Sequence, residues 1–245
     1  AALALANKGR KVRVLEKAPE FGEIGYGIQV GPNAWRMLQY LDVWKRMENT
    51  VFFPNALIMM DAVNGKEVSR IDLGREYQER YGAPYFVVHR RDIHGAIWDA
   101  CKEHPNITLM TSKGLASFEE VKDRVVVTCE DGSQYEGISV VAADGLRSVA
   151  RQTIVGDGGP RPAGHVAYRG VVPIEQIENR DHQDAMVIWV GHNMHLVQYR
   201  LRGGTVMNNV AVVCSERFKR GETQNYGDWN ELEETFSQAI PSVQD

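Results

Sequence analysis

Apolar positions along the chain fall into short, distinct patterns. Residues 1–6 are an Ala/Leu run of high helix propensity, closed by Asn7-Lys8-Gly9-Arg10, a basic, glycine-containing helix end. Residues 11–16 then read as a strand that ends on Glu16. Pro32 suits the start of a helix that carries Trp35, Leu38 and Leu41 on one face. Residues 51–73 read as short strands, with Val63-Asn64-Gly65-Lys66 as a hairpin turn. Residues 85–89 are a buried-strand run. It leads into a helix with Ile93, Ile97, Trp98 and Cys101 at helical spacing, which Asp92 is placed to cap.

The second half is richer in strands. Residues 125–130 and 134–136 flank an Asp131-Gly132 turn. Residues 138–143 are entirely apolar apart from Ser139, which predicts a parallel strand covered on both faces. Pro160-Arg161-Pro162 marks a boundary. Beyond it, four more strands are expected at 165–172, 186–190, 194–199 and 208–213, followed by an amphipathic helix over 229–240.

Composition narrows the class. The 245 residues are 43% apolar and 24% charged, with a net charge of −4, which excludes a disordered or collagen-like chain and a nucleic-acid binder working through positive charge. No apolar run reaches the ~20 residues of a membrane-spanning helix. Cys101, Cys129 and Cys214 are odd in number and widely spaced. They predict buried free thiols in a reducing, cytoplasmic setting rather than disulfides or a zinc site. The opening half-helix and the stop soon after the last helix lead us to expect an interior piece of a longer protein, lacking both termini.

Helix, strand, then acid is the back half of a βαβ unit. In a dinucleotide-binding fold an acid ~20 residues beyond the glycine loop bonds a ribose hydroxyl, which would put that loop before residue 1 and give Glu16 the ribose. A solvated strand-end charge is the alternative. Glycines 22, 25, 27 and 31 are too dense for a helix or an ordinary strand and let the backbone approach a ligand, although a plain glycine-rich loop would look the same. Arg90, at a strand-to-helix junction, is placed to meet an anion or to lie on the surface.

The apolar run followed by Ala143-Asp144-Gly145-Leu146-Arg147-Ser148-Val149-Ala150-Arg151 resembles the second fingerprint of the FAD-dependent aromatic hydroxylases, the para-hydroxybenzoate hydroxylase-type flavoprotein monooxygenases. Other segments fall in the family's order. Glu16 matches the ribose-binding acid, Arg90 the FAD-contacting arginine, and Gly25-Tyr26-Gly27-Ile28-Gln29-Val30-Gly31-Pro32-Asn33-Ala34 the stretch beside the flavin. Tyr168-Arg169-Gly170 matches the entry to the substrate sheet. Glu23 to Gln29, with His195 and Tyr199, looks most like 3-hydroxybenzoate 6-hydroxylases, with salicylate hydroxylases close behind. The resemblance implies cofactor contacts from Glu16, Gln29, Arg90 and Asp144. It also implies FAD reduction by NADH or NADPH and attack of an electron-rich ring on a flavin hydroperoxide. The N-terminal GxGxxG and a downstream Gly-Asp are not present in these residues.

A phenol has a pKa near 10, so ring activation near pH 7 needs a base, and His is suited to it. His104 and His182 look solvent-facing, and His89 and His94 sit in the FAD-binding half. His192 and His195, three apart in a strand, point to opposite faces and do not suggest a metal. His195, Val197 and Tyr199 share one face. We therefore expect His195 to take the phenolic proton and Tyr199, about 7 Å along the strand, to hydrogen-bond the ring substituent. Two half-buried sheet residues with satisfied polar tips are the alternative.

The expected fold is α/β: a Rossmann-like parallel FAD-binding sheet (residues 1–50 and 80–158) interleaved with a mostly antiparallel β substrate domain (residues 51–79 and 159–245). The expected reaction is hydroxylation of a phenolic aromatic acid by O₂, with 3-hydroxybenzoate to gentisate favoured and a homodimer compatible with it. The alternatives are salicylate to catechol, a non-hydroxylating FAD oxidoreductase, and a non-catalytic remnant.

Overall fold

A computed structural model of the chain describes residues 1–20, 25–177, 181–219 and 227–244. The elements, in order, are α1 (Ala2–Ala6), β1 (Val12–Leu15), β2 (Gly27–Val30), α2 (Pro32–Tyr40), β3 (Ala56–Asp61), β4 (Glu67–Asp72), α3 (Arg75–Tyr81), β5 (Phe86–His89) and α4 (Arg90–Glu103). Then come β6 (Ile107–Met110), β7 (Leu115–Val121), β8 (Arg124–Cys129), β9 (Gln134–Gly137), α5 (Val149–Ile154), β10 (His165–Pro173), β11 (Met186–Gly191), β12 (Met194–Leu201) and β13 (Val206–Cys214). Three short helices close the series: α6 (Glu216–Lys219), α7 (Trp229–Phe236) and α8 (Pro241–Gln244).

The chain forms two compact units, Ala1–Glu23 with Ile97–Arg161, and Ile24–Ala96 with Pro162–Asp245. This division differs from the expected one over 24–50, 80–96 and 159–161. The reason is packing: β2 pairs with β5, and Val87 of β5 joins a core on the large sheet.

In the first unit β1 and β6 form a parallel pair, Val12 opposite Ile107 through Leu15 opposite Met110. Beside it in the unit is the antiparallel sheet β7-β8-β9, with its Asp131-Gly132 turn as expected. The predicted strand at 138–143 does not form. These residues carry no strand pairing, and Ile138 and Val141 are 74% and 62% exposed. A parallel strand needs a neighbour to bond with, and within the described residues this run has none.

The second unit is built on a six-stranded sheet ordered β10-β13-β12-β11-β3-β4. It is antiparallel throughout except where β11 runs parallel to β3. The period-two alternation of 165–215 placed these strands well. The β3–β4 turn is held by the Asp61 carboxylate, whose Oδ1 accepts from the N–H groups of Val63 and Asn64 at 2.8 and 3.1 Å. Asp92 does not cap α4. That helix starts at Arg90, and Asp92 pairs with Arg202 at 3.6 Å instead. The helix expected over 229–240 stops at Phe236 and resumes at Pro241. Cys101 and Cys129 are buried free thiols, whereas Cys214 is only half-buried.

Candidate active site

Strand β12 sorts the two faces of the large sheet. Met194 and Leu196 enter one core with Trp189, Phe236 and Val243. Tyr199 and Leu201 enter the other with Val87 and Met186, and Val197, Phe52 and Tyr85 pack against them. The two-residue repeat puts His195 on this second face. His195, Val197 and Tyr199 therefore do share a face. Four residues at ~3.3 Å each separate the Cα atoms of His195 and Tyr199 by about 13 Å, not the 7 Å expected, which is the two-residue repeat. They stand at either end of Val197. His192 is not on the strand but in the exposed turn between β11 and β12.

The electrostatics of the pair differ. His195 is half-buried, and burial, reinforced by the neighbouring charge of His165, holds its imidazole below the usual value. At neutral pH it is the uncharged, proton-accepting form. Tyr199 is 3% exposed, and burial pushes its phenol up to about 12 against the opposing pull of Arg169. It therefore remains protonated and can donate. Arg169 is exposed on β10, with its guanidinium carbon 5.8 Å from the centre of the Tyr26 ring. No carboxylate pairs with it among the described residues.

Strand β2 lies against Tyr199. Its Gly27 N–H donates to Asn208 Oδ1 at 2.9 Å. Asn208 is fully buried and stands opposite Tyr199 in the β12–β13 register. Its Nδ2 has no partner among the described residues. Leaving a buried donor unmatched costs about 1–3 kcal/mol. The adjacent Asn209 has the opposite circumstance. On the other face its Oδ1 accepts from Gln198 Nε2 at 3.0 Å, and Gln198 Oε1 accepts from Trp189 Nε1 at 2.9 Å. Asn208 was not among the expected site residues. Its signal lay in alternation, one Asn in the inward set Val206, Val210 and Val212.

The expected cofactor residues divide between the units. Gln29 is exposed on β2, and its Oε1 accepts from the Tyr85 hydroxyl at 2.7 Å, leaving its amide N–H₂ to donate elsewhere. Arg90 opens α4, with its backbone N–H bonded to Tyr26 O at 2.9 Å and its side chain exposed. In the first unit Glu16 directly follows β1. Its Oε1 accepts from Ala18 N–H at 2.9 Å, while Oε2 carries no bond among the described residues. Asp144 is committed locally. Its Oδ1 accepts from the Ser148 hydroxyl at 2.5 Å and its Oδ2 from Ala150 N–H at 3.1 Å, which fixes the start of α5. Gly145 beside it has φ +79°, a conformation that glycine adopts without strain. Glycines 22 and the residues Glu23 and Ile24 lie outside the described residues.

Among the described residues no group of three or more His, Cys, Asp or Glu could hold a metal ion, and no helix is long and apolar enough to cross a membrane.

No protein-family model matches the chain. Curated proteins do. It is 41% identical over 216 residues to a 3-hydroxybenzoate 6-hydroxylase of Klebsiella oxytoca, covering 88% of this chain and 54% of that protein. The 3-hydroxybenzoate 6-hydroxylase of Polaromonas naphthalenivorans is 37% identical over 244 residues, 99% of this chain and 60% of its own length. Among solved structures, Klebsiella pneumoniae HpxO complexed with FAD and uric acid superposes on all of this chain and 60% of its own with a TM-score of 0.80 at 25% identity. The chain thus spans little more than half the length of the relatives it matches. With 37–41% identity sustained over 86% or more of its residues, the chain is similar along nearly all of its length to FAD-dependent aromatic hydroxylases of the 3-hydroxybenzoate 6-hydroxylase kind.

Proposed function

We propose that the protein carrying this chain hydroxylates a phenolic aromatic acid, converting 3-hydroxybenzoate to gentisate with NAD(P)H and O₂. The observation that carries this reading is the identity to 3-hydroxybenzoate 6-hydroxylases, joined to a neutral His and a protonated Tyr on one sheet face.

Within each unit, the chemistry of the residues supports FAD binding. Glu16 keeps one carboxylate oxygen for a ribose hydroxyl, and Gln29 offers an exposed amide beside the glycines. Arg90 presents a cation at the first turn of a helix, and Asp144 shapes the turn that opens α5. When bound and reduced by NAD(P)H, FAD would activate O₂ for transfer of one oxygen atom to the ring. The chain's own residues handle the ring. His195 accepts the phenolic proton, which makes the ring electron-rich, and Tyr199 donates a hydrogen bond that fixes its orientation. The apolar surface of Val197 between them takes the ring face.

The test is product analysis with 3-hydroxybenzoate and with salicylate. Gentisate from the first supports the reading, while catechol from the second, with no gentisate, replaces it with salicylate hydroxylation. NAD(P)H oxidation without a hydroxylated product rejects both. A cytoplasmic homodimer goes with this reading. One structural neighbour, a 2-methyl-3-hydroxypyridine-5-carboxylic acid oxygenase, is a tetrameric form, so mass by light scattering decides the assembly.

A further inference from the structure

We propose that Asn208 positions the substrate, its side-chain amide donating a hydrogen bond to the carboxylate of the aromatic acid. The inference rests on the hydroxylase reading above and deepens it.

The orientation of the amide is fixed by its partner. Gly27 N–H is a donor, so the group facing it must be Oδ1, and the N–H₂ is turned away from the only bond the side chain makes among the described residues. An acceptor alone would have served Gly27. The fully buried N–H₂ is an additional donor, and the described residues provide it with no acceptor.

Position and charge indicate what the acceptor is. Asn208 faces Tyr199 directly across the β12–β13 ladder, on the face that carries His195. Arg169 stands on the same face two strands from Tyr199, and its positive charge reaches that phenol. An anionic oxygen is therefore favoured at the Tyr199 end. His195, four residues along the strand, takes the hydroxyl end. A ring bearing a hydroxyl and a carboxylate, hydrogen-bonded at both, spans a gap of this order. The surface between is partly open, since His195, Val197 and Val212 are only half-buried. A ring lying over Val197 directs its carboxylate toward the paired positions Asn208 and Tyr199, which are buried at the end of that surface.

The experiment uses the purified FAD-loaded protein and the variant Asn208→Asp, which keeps an acceptor for Gly27 but removes the donor and adds negative charge. Dissociation constants are measured for 3-hydroxybenzoate and for its uncharged analogue 3-hydroxybenzamide. FAD content and FAD affinity are measured alongside. The expected result is at least tenfold weaker binding of the acid, growing as pH rises and the new carboxyl ionises. The amide analogue should change less than threefold and FAD binding should not change. Equal weakening of both ligands, or no weakening, overturns the proposal, and so does loss of FAD with the acid unaffected, which would assign the amide to the cofactor. Should N208D fold poorly, Asn208→Ala must show the same selective loss for the acid. If the wild-type protein binds 3-hydroxybenzoate with this Asn208 dependence but forms no gentisate, the function fails and the carboxylate contact stands. If it forms gentisate and Asn208 is indifferent, the reverse holds. If it binds no aromatic acid at all, both fail.

Discussion

The ring of Tyr199 occupies the space that a side chain on Gly27 would need: a Cβ at that position would stand 2.5 Å from its Cε2 atom. The two residues are joined only by folding, and Asn208 ties the same glycine down through its N–H. Gly27→Ala should therefore destabilise the fold by about 1–3 kcal/mol through overpacking, read as a lower urea midpoint. Adding Tyr199→Ala should recover part of the loss. Strictly additive effects in that double-mutant cycle would mean the contact is not felt.

His195→Ala should leave FAD binding intact and slow hydroxylation by ~10²–10⁴-fold near pH 7, the usual worth of a positioned base. The loss should shrink at high pH, where the phenol ionises unaided. Because burial holds the His195 imidazole below its ordinary value, the acid limb of wild-type kcat/KM should fall below pH 6.5. The sign for stability follows from the same shift. The unfolded chain takes up the proton first, so this residue's contribution is intact above the unfolded pKa and declines as pH falls through it. Wild-type rates from His195→Ala near neutrality would remove the base assignment.

Glu16→Ala should weaken FAD binding by about 1.5–3 kcal/mol if Oε2 bonds a ribose hydroxyl. Titration of the apoprotein with FAD checks this. An unchanged dissociation constant makes Glu16 a strand-end charge whose role is the local bond to Ala18.

Asp144 should behave as a helix-start residue. Asp144→Ala should cost ~0.5–2 kcal/mol of stability, the range for losing a capping side chain. Burial works against its charge, but the Ser148 hydroxyl and the backbone N–H groups outweigh it and hold the carboxyl below its usual value. The difference between wild type and variant should persist at neutral pH and fade as pH drops through that lowered value. A constant difference down to acid pH would contradict this.

What could be read in advance follows from how local each cause is. The strands of 165–215 declare themselves because they are apolar runs rich in Val and bounded by turn residues, and the Asp61-centred turn needs only neighbouring residues. The apolar run at 138–143 misled because strand formation depends on a partner strand, which composition cannot supply. Asn208 was hidden for the same reason. Its burial depends on β10, β12 and a glycine 181 positions away in sequence, and two adjacent Asn residues within a strand give no hint of them. His195 and Tyr199 were found because one chain segment carries both.

The parallel pairing of β3 with β11 also has a consequence for synthesis of the protein. Leu57 must wait for Met186, about 130 residues later, and the other unit's long segment is made in between. At ~5–20 residues per second that delay is on the order of 10 s. During it Ala56, Ile58 and Met60 have no core to enter. The nascent chain thus carries an apolar strand edge on the ribosome, a surface suited to chaperone capture. Slowing translation between residues 97 and 161 should raise aggregation more than slowing it after β13.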